Sequence, residues 1–88
     1  MLFMVVERPR SGDFKTVGDR FKVHGRMLPE GVTYQASWID AQDARCFQIM
    51  DAPSRESLDP WIAAWKDLVH LEVVPVKTSA EFWGTVQT

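Results

Sequence analysis

Residues 34–54, YQASWIDAQDARCFQIMDAPS, read as two strands around a turn, followed by the start of a helix. Residues 32–39 alternate as one arm, DAQD at 40–43 is a four-residue loop, and residues 45–50 pair back as the second arm. That loop length places Ser37 opposite Cys46 and Gln35 opposite Gln48. One face of the hairpin then collects Tyr34, Ala36, Trp38, Phe47 and Ile49, and can line a core. The other collects Gln35, Ser37, Cys46, Gln48 and Met50. That second face meets water, a partner subunit or a ligand, and the alternation alone does not say which.

Working outward, residues 2–7, LFMVVE, form an apolar run suited to a strand covered on both sides. Pro9 and Gly12 mark a turn. From Asp13 the spacing becomes helical, with Phe14, Val17, Phe21 and Leu28 on one stripe. Gly25, Pro29 and Gly31 end that helix. After the hairpin, Leu58, Trp61, Ile62, Trp65 and Leu68 make a second helical stripe. Pro60 suits a first turn, so a tight turn from Ser54 is expected, with Ser57 or Asp59 capping the helix. Residues 70–76, HLEVVPV, give a fourth strand, and Pro75 places it at an edge or a bulge. TSAE at 78–81 is a capping box that opens a short helical turn over about 79–86.

The order β-α-β-β-α-β predicts a single α+β domain over residues 1–88, of the ferredoxin-like kind. It has a four-stranded antiparallel sheet with both helices on one face. An 88-residue chain buries only roughly 60% of its unfolded surface, so its own core is modest. Four Trp and five Phe are more large side chains than one thin two-layer core accommodates. Leu2, Met4 and Val6 cannot share one helical layer with Met1, Phe3 and Val5. A second copy covering the open sheet face resolves both excesses, giving a homodimer in the form of a dimeric α+β barrel.

Net charge is −2 with the signs interspersed, which argues against nucleic acid. The single cysteine forbids an internal disulfide and suggests a reducing compartment. The apolar start is too short to span a membrane and has neither a basic lead nor a cleavage site. A cytoplasmic protein with no membrane contact is the expectation.

MLFMV at the start, GRMLPEG at 25–31, SW at 37–38, RCFQIM at 45–50 and W-x-x-x-W-x-D-L at 61–68, followed by VVPV, resemble a small bacterial family of unknown function. That family lies in the dimeric α+β barrel superfamily. The start and the DAPS at 51–54 are also similar to muconolactone isomerase. The resemblance covers nearly the whole chain and implies fold more than substrate. The superfamily includes antibiotic-biosynthesis monooxygenases that need no cofactor, and some members bind haem or small aromatic molecules.

Several residues are candidates for chemistry, each with a plain structural alternative. Cys46 is a nucleophile only if positive charge lowers its pKa, and otherwise packs as a small hydrophobe. Gln35, Ser37 and Gln48 are polar groups in an apolar wall, the composition of a small-molecule pocket, or they simply meet water or an interface. His24 and Arg26 are weak catalytic candidates, a base near neutral pH and an anchor for a carboxylate. The dipole at the end of the first helix also favours cations there, and Arg26 could instead pair with Glu30 or Asp40. Trp38, Trp61 and Trp65 either frame an aromatic pocket or fill the core. Met4 completes the set expected to touch a ligand. His70 is read as structural. No spacing matches a metal site, no Gly-rich loop cradles a phosphate, and no cofactor is implied.

Two functions follow. One is a small-molecule-binding protein or cofactor-independent enzyme, of the isomerase or monooxygenase kind, acting on a small apolar or aromatic ligand. The alternative is a non-catalytic homodimeric interaction or sensing module.

Overall fold

A computed structural model describes residues 1–85. Along the chain run β1 (Leu2–Pro9), α1 (Lys15–His24), β2 (Thr33–Ile39), β3 (Cys46–Asp51), α2 (Asp59–Trp65), β4 (Val69–Val76) and α3 (Ser79–Thr85). The strands form one antiparallel sheet in the order β2-β3-β1-β4. This is the ferredoxin-like arrangement, in which each β-α-β crossover skips one strand. Val86, the last residue expected in the terminal helical turn, lies outside the described residues. Among those described, no helix is long and apolar enough to cross a membrane.

β1 is central, and its apolar run is explained by strands on both edges. Phe3 and Val5 are fully buried beneath the helices, whereas Leu2, Met4 and Val6 lie on the far side and are half-buried. The core joins Phe3, Val5, Met50 and Val69 of the sheet to Leu58, Trp61 and Trp65, together with Val32 and Ala52. Burying one such side chain as completely as Leu58 contributes roughly 1.5–3 kcal/mol. Pro75 sits on the edge strand β4, where its missing N–H removes no ladder bond.

The hairpin departs from expectation in register and in orientation. Ser37 pairs with Gln48 and Ile39 with Cys46, because the connection is longer than DAQD. Asp40 N–H donates to the Arg45 carbonyl at 2.8 Å, and the Arg45 guanidinium returns to the Asp40 carboxylate, also at 2.8 Å. A bulge at Gln35 then lets Tyr34 pair with Met50 and Ala36 with Ile49. That extra residue moves Tyr34 across the sheet, onto the side of Met50. The face carrying Ser37, Cys46, Gln48 and Met50 is the one that meets the helices. Ala36, Trp38, Phe47 and Ile49, the more apolar set, face away from them. β1 decides this: Val5 pairs with Gln48 and Phe3 with Met50, so these neighbours must share the buried side of the sheet.

The helix starts also differ in detail. The turn from Ser54 forms, with Ser57 N–H donating to Ser54 Oγ at 3.3 Å, and a 3-10 segment Glu56–Leu58 leads into α2. Leu58 occupies the N-cap position, so neither Ser57 nor Asp59 caps the helix with its side chain. Asp59 instead lies in the first turn beside Pro60, where a negative charge suits the helix dipole. The capping box at α3 is reciprocal: Glu81 N–H donates to Thr78 Oγ1 at 3.0 Å, and Thr78 N–H donates to Glu81 Oε1 at 3.2 Å.

α1 is attached differently. None of its residues is buried. Arg20 ties it to α2, donating to the Ala64 carbonyl at 2.9 Å and forming a two-pronged pair with Asp67 at 2.7 Å on each prong. Its end is closed by Gly25, whose φ of 66° favours a residue without Cβ and whose N–H reaches the Phe21 carbonyl at 2.8 Å.

Candidate functional site

Because α1 stands off the sheet, a cavity of about 270 Å³ lies beneath it. Val17, Gly18 and Phe21 of α1, with Phe14 at its N-cap, form its roof. Glu7, Ser37, Ile39, Cys46 and Gln48 form the sheet floor, and Trp61, Trp65 and Arg26 close the sides. Such a volume, near the lower end for ligand pockets, suits one small ring system. The walls are mainly apolar and aromatic, with a few polar groups converging on one region.

Glu7 is the central polar group. It follows Phe3 and Val5 on the same side of β1 and is only 9% exposed. Burial pushes its carboxyl up from 4.5 to about 6, against the opposing pull of hydrogen bonding from Cys46 and Gln48 and of the Arg26 charge. A carboxyl poised so close to neutrality exchanges a proton readily at working pH. Cys46, paired across from Glu7, is shifted in the same direction. Burial, and then the negative charge and hydrogen bonding of Glu7, raise its thiol to about 11. It is therefore a thiol at neutral pH, a poor nucleophile and a weak hydrogen-bond donor toward Glu7.

Arg26 is held from three directions. Its carbonyl accepts a hydrogen bond from Trp65 Nε1 at 2.9 Å, which satisfies that buried indole and fixes the backbone. Its guanidinium lies 3.5 Å from the centre of the Tyr34 ring and 5.2 Å from that of Phe21, an aromatic clamp. Tyr34 is oriented in turn by a 2.7 Å hydrogen bond between its hydroxyl and Ser37 Oγ. The next residue, Met27, has φ of +57°, a left-handed conformation costing on the order of 1 kcal/mol for a side-chain-bearing residue. Packing of Met27 against the core maintains it. Arg8, Arg20, Arg45 and Arg55 pair with carboxylates. Arg26 makes no ion pair with any carboxylate among the described residues, and Glu30 and Asp40 do not serve as its partners.

The structure brings Arg26, Ser37, Cys46, Gln48 and Trp65 together around this cavity. Met4 and Trp38 lie on the opposite side of the sheet, paired with Ile49 and Phe47. Gln35 is exposed at the bulge, and His24 is exposed in the last turn of α1. Glu7 was not among the sequence candidates. The signal was there: strict alternation from Phe3 puts it in line with two core residues, where an acid is unusual. Trp61, read from the sequence as pocket or core, serves as both, and Phe14 and Phe21, visible only as a helix stripe, also line the cavity. Among the described residues, no group of three His, Cys, Asp or Glu side chains converges as metal ligands.

No curated protein matches the chain. A family model, the domain of unknown function DUF3303, matches residues 1–88, and the chain therefore belongs to that family.

Proposed function

We propose that this protein binds a small, flat, largely apolar molecule beneath α1, and that Glu7 serves that molecule as an acid–base group without a cofactor. The observation that carries the reading is a buried carboxyl, with its pKa raised to about 6, on the floor of an aromatic-walled cavity of about 270 Å³. Chemistry of the isomerase kind fits best, since proton removal and return need only one such group. Cys46 acts as wall and hydrogen-bond donor, not as nucleophile.

The test is thermal unfolding against neutral aromatics such as indole and 2-naphthol. A compound at ten times its Kd adds about 1.4 kcal/mol of stability. For a domain this size that raises Tm by roughly 6–11 °C. Gly18 supplies the control. A Cβ built there meets nothing within 4 Å, so Gly18→Leu projects into open space with the helix intact. It is expected to fold and to abolish the shift. Absence of any shift across a broad panel of ring compounds, or an equal shift in Gly18→Leu, would refute the cavity as the site.

A second reading concerns assembly and is compatible with the first, because it uses the other side of the sheet. Trp38 is 56% exposed there and Val74 39%, beside half-buried Met4, Val6, Phe47 and Ile49. An apolar sheet face of this extent favours a homodimer packed face to face. Solution mass by light scattering is expected to be twice the chain mass of 10.1 kDa, falling toward monomer in Trp38→Asp. A wild-type monomer at micromolar concentration would exclude it. The free, buried Cys46 fits a reducing compartment, and we place the protein in the cytoplasm.

A further inference from the structure

We propose that the ligand carries a carboxylate, held by Arg26, and that it enters the cavity together with a proton taken up by Glu7. This rests on the cavity being a ligand site and goes on to specify the ligand's charge. Arg26 is the starting point. Arg26 lines the cavity with its guanidinium close to the Tyr34 and Phe21 rings, its carbonyl holding Trp65 Nε1, and no carboxylate paired with it among the described residues. The planar fork of N–H donors matches a carboxylate in two-pronged geometry.

Glu7 then sets a condition. It lines the same cavity and feels the Arg26 charge, although the two are not in ion-pair contact. A second carboxylate brought to Arg26 draws off part of that charge and places two anions in one small apolar space. Like charges so confined cannot both remain ionised, so one carboxyl takes a proton. Glu7 is the one that does, because burial already weakens its charged form while the ligand's carboxylate gains Arg26. The titratable or charged groups facing Glu7 within the cavity are Arg26 and Cys46. The roof from α1, Trp61 and Trp65 of α2, and Ser37, Ile39 and Gln48 of the sheet contribute no charge. Neutral Glu7 is then a hydrogen-bond donor toward the bound molecule and the proton source for it. No bond other than O–H is made, and the proton comes from solvent.

The experiment compares trans-cinnamate with its neutral primary amide, cinnamamide, by isothermal calorimetry between pH 6 and 8.5. Wild type is expected to bind cinnamate with roughly tenfold loss of affinity per pH unit above about pH 6.5, and cinnamamide with no slope. Titration in two buffers of different ionisation heat is expected to give uptake of about one proton per cinnamate at pH 7.5. Glu7→Gln is expected to remove the slope, and Arg26→Gln to weaken cinnamate selectively. A far-ultraviolet circular dichroism spectrum and a cooperative urea transition like those of wild type report that each variant is folded. Equal binding of acid and amide by wild type would overturn the inference and leave the cavity reading standing. Cinnamate binding with no slope and no proton uptake in wild type would overturn the role of Glu7 without recourse to any variant. Failure of wild type to bind either compound would overturn this inference, and the cavity reading would then be decided by the panel of ring compounds above.

Discussion

Phe3→Ala is expected to lower the stability of the folded chain by about 3–5 kcal/mol, the largest loss foreseen for any single substitution here. The residue is 1% exposed on the central strand, paired with Met50 on one side and Pro75 on the other. Its ring fills the space between the sheet and α2, so truncation removes transfer free energy and leaves a void that rigid neighbours cannot close. Typical domains are stable by only 5–15 kcal/mol, and one of 88 residues has little reserve. The variant should therefore populate unfolded chains in water and melt far below wild type. Trp38→Ala is the comparison. It removes a larger ring, but from the side of the sheet away from the helices, where the residue is 56% exposed. Measured by urea denaturation at a dilution where the chain is monomeric, it should cost less than about 1 kcal/mol. Equal losses in the two variants would mean that the orientation assigned to the hairpin is wrong.

Glu7→Gln is expected to stabilise the protein at pH 7.5 relative to pH 4 by about 2 kcal/mol when the two proteins are compared. The unfolded carboxyl titrates at 4.5 and the folded one at about 6. Between those values the folded state holds more protons than the unfolded state, so wild-type stability falls as pH rises through that window. Above it the loss is complete, and a difference of about 1.5 pKa units corresponds to about 2 kcal/mol. Glutamine has the same shape and no titration, and therefore escapes the loss. The carboxyls of Asp67, held down by its hydrogen bond from Arg20, and of Asp40, held down by backbone and Arg45 hydrogen bonds, act in the other direction at lower pH. They are common to both proteins and cancel in the comparison. Urea midpoints at half-unit pH steps from 4 to 8 would provide the check. Parallel profiles for wild type and variant would show that Glu7 is not desolvated.

The parts of this fold that were legible in the sequence are those decided by near neighbours. The switch from twofold to helical spacing located the strands and helices, TSAE at 78–81 named its own capping geometry, and Pro75 named an edge. The hairpin's orientation was not of that kind. Its two faces differ in polarity, and local patterning favours burying Trp38 and Phe47 in place of Gln48 and Cys46. What overrules that preference is pairing with β1, a strand far from β3 along the chain, which aligns Gln48 with Val5 and Cys46 with Glu7. Once there, Glu7, Gln48 and Cys46 satisfy one another, and no buried side-chain polar atom among the described residues lacks a hydrogen-bond partner. Polar residues under the helices are thus a matched group. The bulge at Gln35 was equally hidden, because an inserted residue leaves no compositional mark. The site was half visible for the same reason. Ser37, Cys46, Gln48, Arg26 and Trp65 stood out by type, while Glu7 lay at the end of an apolar run and took its meaning from partners on other strands.

The manner in which α1 is attached has a consequence for kinetics. A helix with no buried residue, fastened by the Arg20–Asp67 fork and the half-buried Val17, separates from its support more easily than any strand of the sheet. On the proposed reading, entry to and exit from the space beneath it would need no breathing of the β-layer, and the fork's hold on α1 declines as salt rises. Exchange of a bound molecule is then expected to quicken with ionic strength.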